Sequence, residues 1–283
     1  MFRDKAYAKI NWSLYVLNKR QDSYHNIVSL IHAINLYDVL IFEDSLDIKI
    51  ETNFPIKKEK NLVYKAVKAI HDYAGIDYGI KITLNKNIPV GSGLGGGSSD
   101  AATTLKVLNK LWKLGLSNEE LKEIAIKLGS DIPFFLYPPI CIVEGKGDII
   151  KPLKIDKSYN LLLVKPDFHI STKWAYSALD AKKRKLTENY ALINNNIWQL
   201  YNNICCFDIT KLKLWNDLEE VVSEKYPEIK TIKEKLLETG AKASLMSGSG
   251  SVVFGIFEKQ EDAERAIKNF KGYWCKSVQT LTG

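Results

Sequence analysis

The stretch IPVGSGLGGGSSDAATTL, residues 88–105, gathers five glycines and three serines into the nine positions 91–99 and then runs into an alanine-rich apolar repeat. Glycines let successive backbone N–H groups converge on an anion. A helix that begins directly behind them adds its positive dipole end and its unpaired donors. The chemistry this points to is a phosphate cradle. A plain solvent loop is the alternative, but such loops seldom abut a well-formed helix. Gly91, Gly93 and Gly96 also satisfy G-x-G-x-x-G, yet that dinucleotide fingerprint belongs at the first strand of a βαβ unit, with a ribose-binding acid about twenty residues on. Here the polar segment NKNIP separates strand from loop, and a long β-rich stretch precedes it. A P-loop is excluded more simply, because no Gly-Lys-Ser or Gly-Lys-Thr follows the glycines.

The elements that must carry this loop can be read from periodicity. Tyr7 to Leu17, Ile27 to Ile34, Val39 to Glu43 and Leu46 to Thr52 are rich in β-branched, leucine and aromatic residues and read as strands. Leu62, Ala66, Ile70 and Tyr73 recur at helical spacing, with Gly75 placed to end the helix, and Gly79 to Leu84 is a further short strand. Behind the loop, Ala101, Leu105, Leu108 and Trp112 form the apolar stripe of a helix. Ser117 with Glu120 makes a capping box for the next one, which carries Leu121, Ile124, Ala125 and Leu128 and stops at Gly129. The segment SDIPFFLYPP breaks the helical period, and CIVEGKGDII reads as a hairpin turning at Gly145 and Gly147. From Tyr159 the pattern restarts with a strand at Leu161 to Val164, then helices over roughly 172–181, 188–203 and 208–224, and another from Pro227 to Gly240. Strands near Ala243 to Met246 and Val252 to Phe257, a helix over 260–270 and a strand over 273–280 close the chain. This order predicts an α+β protein with a boundary between residues 1–155 and 156–283.

Composition narrows the class. The 283 residues, 46% of them hydrophobic, suffice for real cores, and no stretch approaches the roughly 18 uncharged apolar residues of a membrane span. The opening MFRDKAYAKI carries early charges and no signal-like apolar run, so the cytoplasm is expected. Cys141, Cys205, Cys206 and Cys275 show no C-x-x-C spacing and read as free thiols. The net charge of +7 favours anionic ligands. The lysines are scattered, however, and the one dense run, Lys182 to Lys185, reads as a solvated loop or helix end, which argues against a basic RNA-binding module.

The loop PVGSGLGGGSSDAA resembles the second motif of the GHMP kinases, and AYAKIN at residues 6–11 and MSGSGSVVFGIF at 246–257 resemble the other two, in the family's order. The resemblance implies a two-domain GHMP kinase fold: a β-rich N-terminal domain with helices, like domain 2 of ribosomal protein S5, and a ferredoxin-like α+β C-terminal domain. It also implies ATP and Mg²⁺ as cofactors, with Pro89, Val90, Gly91, Ser92, Gly93, Leu94, Gly95, Gly96, Gly97, Ser98 and Ser99 around the phosphates and Asn61 at the adenine end. Asn61 equally suits a helix N-cap.

DSYH and GSDIPFFL are most similar to the branch of the family whose alcohol substrate carries a cytidine diphosphate group, used in non-mevalonate isoprenoid synthesis. Lys9 and Asp131 match its catalytic pair, and Asn11 a substrate-contacting asparagine. Phosphoryl transfer to an alcohol is mostly alignment and charge stabilisation; Asp131 would steer the hydroxyl proton, and Lys9 would keep Asp131 ionised and offset phosphate charge. Tyr24 matches an aromatic that stacks on cytosine, His25 a residue bonding the base edge, and Tyr176 the aromatic closing the base's other face. Gly248 and Gly250 match positions where backbone approaches the substrate or the phosphate loop. Ser23 departs from the family's glycine, and if that position has a positive φ the serine is strained. Asp100, in the first helical turn, suits the helix dipole and a role toward Mg²⁺. The resemblance further implies a small-molecule enzyme acting as a monomer or homodimer, without nucleic-acid or membrane partners. Homoserine and mevalonate kinases, or a non-catalytic nucleotide-binding relative, are the alternatives.

Overall fold

A computed structural model describes residues 1–182 and 190–283. The strands are β1 (Phe2–Lys19), β2 (His25–Glu43), β3 (Ile48–Thr52), β4 (Ile80–Asn85), β5 (Ile140–Gly145), β6 (Ile149–Pro152), β7 (Asn160–Lys165), β8 (Trp215–Asn216), β9 (Ala243–Met246), β10 (Val253–Phe257) and β11 (Trp274–Gln279). The helices are α1 (Leu62–Ala74), α2 (Gly96–Leu111), α3 (Asn118–Leu128), α4 (Thr172–Ala181), α5 (Tyr190–Cys205), α6 (Asp217–Lys225), α7 (Glu228–Glu238) and α8 (Gln260–Ala266). They fall into two compact units. One holds Met1–Ala8, Leu36–Val90 and Gly95–Pro138; the other holds Lys9–Asn35, Gly91–Leu94 and Pro139–Gly283. β1, β2 and the glycine loop each pass from one unit into the other.

In the first unit β4 pairs antiparallel with the end of β2, Leu40 facing Leu84, and parallel with β3, Ile50 facing Ile82. β4 alternates buried and half-buried residues, which is why its sequence reads as a strand with one face inward. α1 buries Val63, Ala66, Val67 and Ile70 and packs against α2 and α3. Its C-terminal glycine, Gly75, takes a left-handed φ of 65°. α3 starts with both halves of the capping box in place, Ser117 bonding Glu120 reciprocally. The proline-bearing segment after it closes into a short 3₁₀ turn, Pro133–Leu136, with all four residues buried.

In the second unit β2 pairs antiparallel with β5, Leu30 facing Ile142, and β5 turns back into β6. β1 pairs parallel with the two-residue β8, Leu14 facing Asn216. A separate antiparallel sheet runs β11-β7-β10-β9. Numbered within itself that order is 4-1-3-2, the ferredoxin-like arrangement, and its central strands β7 and β10 are near-continuous buried apolar runs. Leu162, Val164, Leu218, Val222, Ile229, Ile232, Leu236, Met246 and Phe257 belong to one core cluster there.

Several elements differ from the periodicity reading. Ile27 to Ile34 and Val39 to Glu43 are one continuous strand, because polar Asn35 and Asp38 have partners within the fold rather than forming a turn. The helix expected over 208–224 begins only at Asp217; a 3₁₀ turn at Ile209–Lys211 and β8 occupy the earlier part. The helix expected from residue 188 is seen as α5, its first two expected positions lying outside the described residues. Of the basic run Lys182 to Lys185 only Lys182 is described, and it is paired with Glu220 and Glu224. None of the four cysteines is in a disulfide. Among the described residues no helix is long and apolar enough to cross a membrane.

Candidate active site

In the second unit, Lys9 and Asn11 alternate with apolar residues along β1 and are both almost fully buried. The Lys9 ammonium donates to Asn11 Oδ1 at 2.6 Å, Asn11 Nδ2 donates to Ser29 Oγ at 2.8 Å, and the Ser29 hydroxyl donates to the Ser13 carbonyl at 2.5 Å. β1 and β2 thus hold the lysine through a one-way relay of hydrogen bonds. The loop arrives beside it: Lys9 N–H donates to the Leu94 carbonyl at 3.0 Å, Val252 N–H to Ser92 at 3.1 Å, and Ser247 Oγ to Gly93 at 3.2 Å. A side chain on Gly93, whose φ is 81°, would run into the Ser247 carbonyl. A Cβ on Gly248 would sit 3.2 Å from the Lys9 Nζ and 3.5 Å from Asn11 Oδ1. Lys9, Asn11, Gly93 and Gly248, far apart in sequence, are therefore neighbours. Gly250, φ 83°, is closed in by Met246 and Ile170.

His25 and Tyr176 form a second group in the same unit. Their rings stack with centroids 5.1 Å apart and planes 29° from parallel. His25 Nε2 lies 2.7 Å from Asp180 Oδ1, and Lys19 Nζ donates to Asp180 Oδ2 at 2.7 Å. Burial pushes the Asp180 carboxyl up, but the bonds from Lys19 and His25 outweigh it and hold it below the usual range. Tyr24 is exposed, with the Lys146 ammonium 5.7 Å from its ring centre. The turn before it holds Ser23 at a φ of 68°, so the departure from glycine does place a serine in left-handed backbone.

In the first unit, Pro89 and Val90 lead into the loop, and α2 starts behind Gly95, φ 71°, with Gly96, Gly97, Ser98 and Ser99 as its first turn. The first helical bond, Ser99 N–H to Gly95, leaves the amides of residues 96–98 without intrahelical acceptors. Below the loop Lys86 pairs with buried Asp38 and, at 2.7 Å, with Asp100. Asp38 also accepts from the amides of Asn87, at 2.5 Å, and Ile88, at 2.8 Å. Burial raises the Asp100 carboxyl and the Lys86 ammonium offsets this only in part. Asp100, expected toward Mg²⁺, is buried and pairs with Lys86 through Oδ2, while its Oδ1 has no hydrogen-bond partner among the described residues. Asn61 caps α1, its Oδ1 accepting from Val63 N–H at 2.9 Å. Asp131 is exposed and stands just before the 3₁₀ turn. Lys9 and Asp131 lie in different units.

Residues 61–138 match the profile of the GHMP kinases N terminal domain, and residues 207–274 that of the GHMP kinases C terminal domain. The chain is 62% identical over 281 residues, 99% of its own length and 98% of the relative's, to a curated 4-diphosphocytidyl-2-C-methyl-D-erythritol kinase of Thermodesulfovibrio yellowstonii. The chain belongs to the GHMP kinase family. A crystal structure of a 4-(cytidine 5'-diphospho)-2C-methyl-D-erythritol kinase superposes on this GHMP kinase with a TM-score of 0.85 at 29% identity, both chains fully covered. The homoserine kinase of Cytophaga hutchinsonii, at 20% identity and a TM-score of 0.74 over 99% of this chain and 94% of its own, shares the fold.

Four supporting residues of this GHMP kinase escaped the motif reading. Asn216 caps α6 through Oδ1 and donates from Nδ2 to the Met246 and Gly248 carbonyls, each at 2.8 Å, so it pins the third motif beside Lys9. The signal was present: Asn216 stands three residues before Glu219, an N-terminal helix signature. Glu219 in turn accepts from Met246 N–H at 2.7 Å. His169, whose Nδ1 lies 3.2 Å from the Gly91 carbonyl, and Asp180 have no sequence signal, since each acts on a residue far away in the chain.

Proposed function

We propose that this GHMP kinase transfers the γ-phosphoryl group of ATP to the 2-hydroxyl of 4-diphosphocytidyl-2-C-methyl-D-erythritol, in non-mevalonate isoprenoid synthesis. One observation carries the reading: 62% identity over nearly the whole of both chains to a curated kinase named for that substrate. The likeness to homoserine kinase lies at 20% identity and bears on fold alone.

The site residues support it as follows. The glycine loop from Pro89 through Ser99, with backbone N–H groups from Val90 onward, and the open first turn of α2 suit a triphosphate. Asn61, oriented by its cap, stands at the adenine end. Lys9, buried and aligned by Asn11, is assigned to offset charge on the transferring oxygens, and Asp131 to orient the accepting hydroxyl and take its proton. Gly248 and Gly250 keep the backbone close to the substrate. Tyr24, His25 and Tyr176 are assigned to the cytosine, where stacking is worth about 1–3 kcal/mol per base. Mg²⁺ would neutralise phosphate charge. Among the described residues no cluster of three or more His, Cys, Asp or Glu is placed to hold a metal. That fits a Mg²⁺ bound largely by phosphates and water with one or two carboxylates. The division into domains at residues 1–155 and 156–283, the cytoplasmic setting, and action as a monomer or homodimer without nucleic-acid or membrane partners belong to the same reading.

The test is ATP consumption dependent on the cytidine substrate, with a panel of other alcohols alongside. Lys9→Ala and Asp131→Ala are each expected to lower kcat about 10³-fold, and cytidine diphosphate should compete. Undiminished turnover in either variant refutes its assigned role, and a preference for homoserine or mevalonate refutes the substrate.

A further inference from the structure

His25 is held by more than its strand. Its side chain is only 4% exposed, its ring lies face to face with Tyr176, and its Nε2 meets a carboxylate oxygen of Asp180 at 2.7 Å, contributed from the last turn of α4. Tyr176 stands on the same helix, one turn earlier, at the i, i+4 spacing that puts both side chains on one face. Asp180 therefore grips the histidine that its own helix-mate stacks upon. The second carboxylate oxygen is engaged by Lys19, on the same strand β1 that carries Lys9 and Asn11. Both oxygens of Asp180 are thus committed, one to each of two strands.

The chemistry fixes the direction of the His25 bond. Asp180 is kept ionised by these two bonds, against the effect of burial. An ionised carboxylate only accepts, so Nε2 must be the nitrogen that carries the proton. The ring can then neither flip nor rotate without turning a C–H toward Asp180 and leaving a nearly buried N–H without its acceptor. Resting on the cytidine reading above, we propose that Asp180 is a positioning residue for base recognition, which preorganises the His25–Tyr176 pair before the substrate's cytosine arrives. It touches no reacting atom. Its contribution is to remove the ordering that the base would otherwise have to impose on binding.

The test uses the full-length protein with Asp180→Ala, and with Asp180→Asn, which keeps the shape and an acceptor oxygen while removing the charge. In the substrate-free wild type, the His25 Nε2 proton should appear in the ¹⁵N-edited spectrum as a low-field imidazole N–H protected from solvent; in Asp180→Ala it should vanish. For Asp180→Ala the KM for the cytidine substrate is expected to rise about tenfold, while kcat and the KM for ATP move by less than about threefold. Asp180→Asn should fall between the two. Equal rises in both KM values, a loss confined to kcat, or an unaltered KM for the cytidine substrate would each overturn the proposal, as would absence of the protected N–H in the wild type. Failure of the underlying reading is seen separately, in wild type alone: a chain inert toward the cytidine substrate removes the function and this role with it.

Discussion

Replacing Gly248 by alanine tests whether the third motif is built to leave room beside Lys9. The position has a φ of +57°, and an added Cβ would stand 3.2 Å from the Gly93 carbonyl oxygen, 3.2 Å from the Lys9 Nζ and 3.5 Å from Asn11 Oδ1. Two penalties combine. Left-handed backbone costs an alanine about 1 kcal/mol. Crowding against two groups that cannot retreat freely, a main-chain carbonyl and a buried ammonium, adds about 1–2 kcal/mol. Gly75 isolates the first penalty, since its φ is +65° and a Cβ there would meet nothing within 4 Å. Gly75→Ala is therefore expected to lose about 1 kcal/mol in urea denaturation, and Gly248→Ala about 2–3 kcal/mol. The functional consequence is larger, because a displaced ammonium no longer faces the transferring oxygens. A shift approaching 1 Å lowers kcat about 100-fold. Steady-state ADP release with the cytidine substrate reads this directly, with Gly75→Ala expected to keep wild-type kcat. Equal destabilisation in the two variants, together with near-normal turnover in Gly248→Ala, would refute the crowding argument and the assignment of Lys9 with it.

Two further outcomes follow from backbone and burial. Ser23→Gly should raise stability by about 0.5 kcal/mol, because relief of the serine's left-handed φ of 68° exceeds the extra chain entropy of glycine; a loss of stability in thermal melts would show that the turn does not strain the serine. His32, fully buried between Trp12 and the Leu281 carbonyl, is pushed down to about 4 by burial. The unfolded chain thus takes up a proton near pH 6.5 that the folded one refuses, and stability should fall by about 3 kcal/mol as pH drops from 6.5 to 4. His32→Gln should flatten that part of the stability profile, and an unchanged slope there would refute the assignment.

What the sequence made legible was whatever is decided within one turn or one strand. The capping box at Ser117, the glycine stop at Gly75 and the glycine loop abutting α2 all depend on residues within four positions of one another, and each stands where periodicity put it. The misreadings share one cause. Asp38 looked like a break between strands, yet it is buried in the middle of β2, since the Lys86 ammonium and the amides of Asn87 and Ile88, some fifty positions on, supply its partners. The partner of Asp100 is hidden for the same reason: nothing local shows that Lys86 pairs with it. The start of α6 was misplaced because the apolar spacing of residues 209–214 is helical, whereas Asn216 is drawn out of helical backbone by pairing with Leu14 and by the carbonyls of Met246 and Gly248. Polar groups whose partners are distant are the ones that a periodicity reading misplaces.

The same distance explains why three motifs had to be read together for a site to emerge. A buried ammonium is costly unless its donors are used, and Lys9 donates to a carboxamide whose other end is already committed. An ammonium can only donate, so Asn11 must turn its oxygen toward Lys9; its nitrogen then has to donate, and Ser29 accepts; the Ser29 hydroxyl is left to donate to the Ser13 carbonyl. No member of this relay can be reversed while the lysine stays in place. The AYAKIN motif is therefore an orientation device as much as a source of charge. The two glycines packed against it, Gly93 and Gly248, contribute by having no side chain that would push the ammonium off its line.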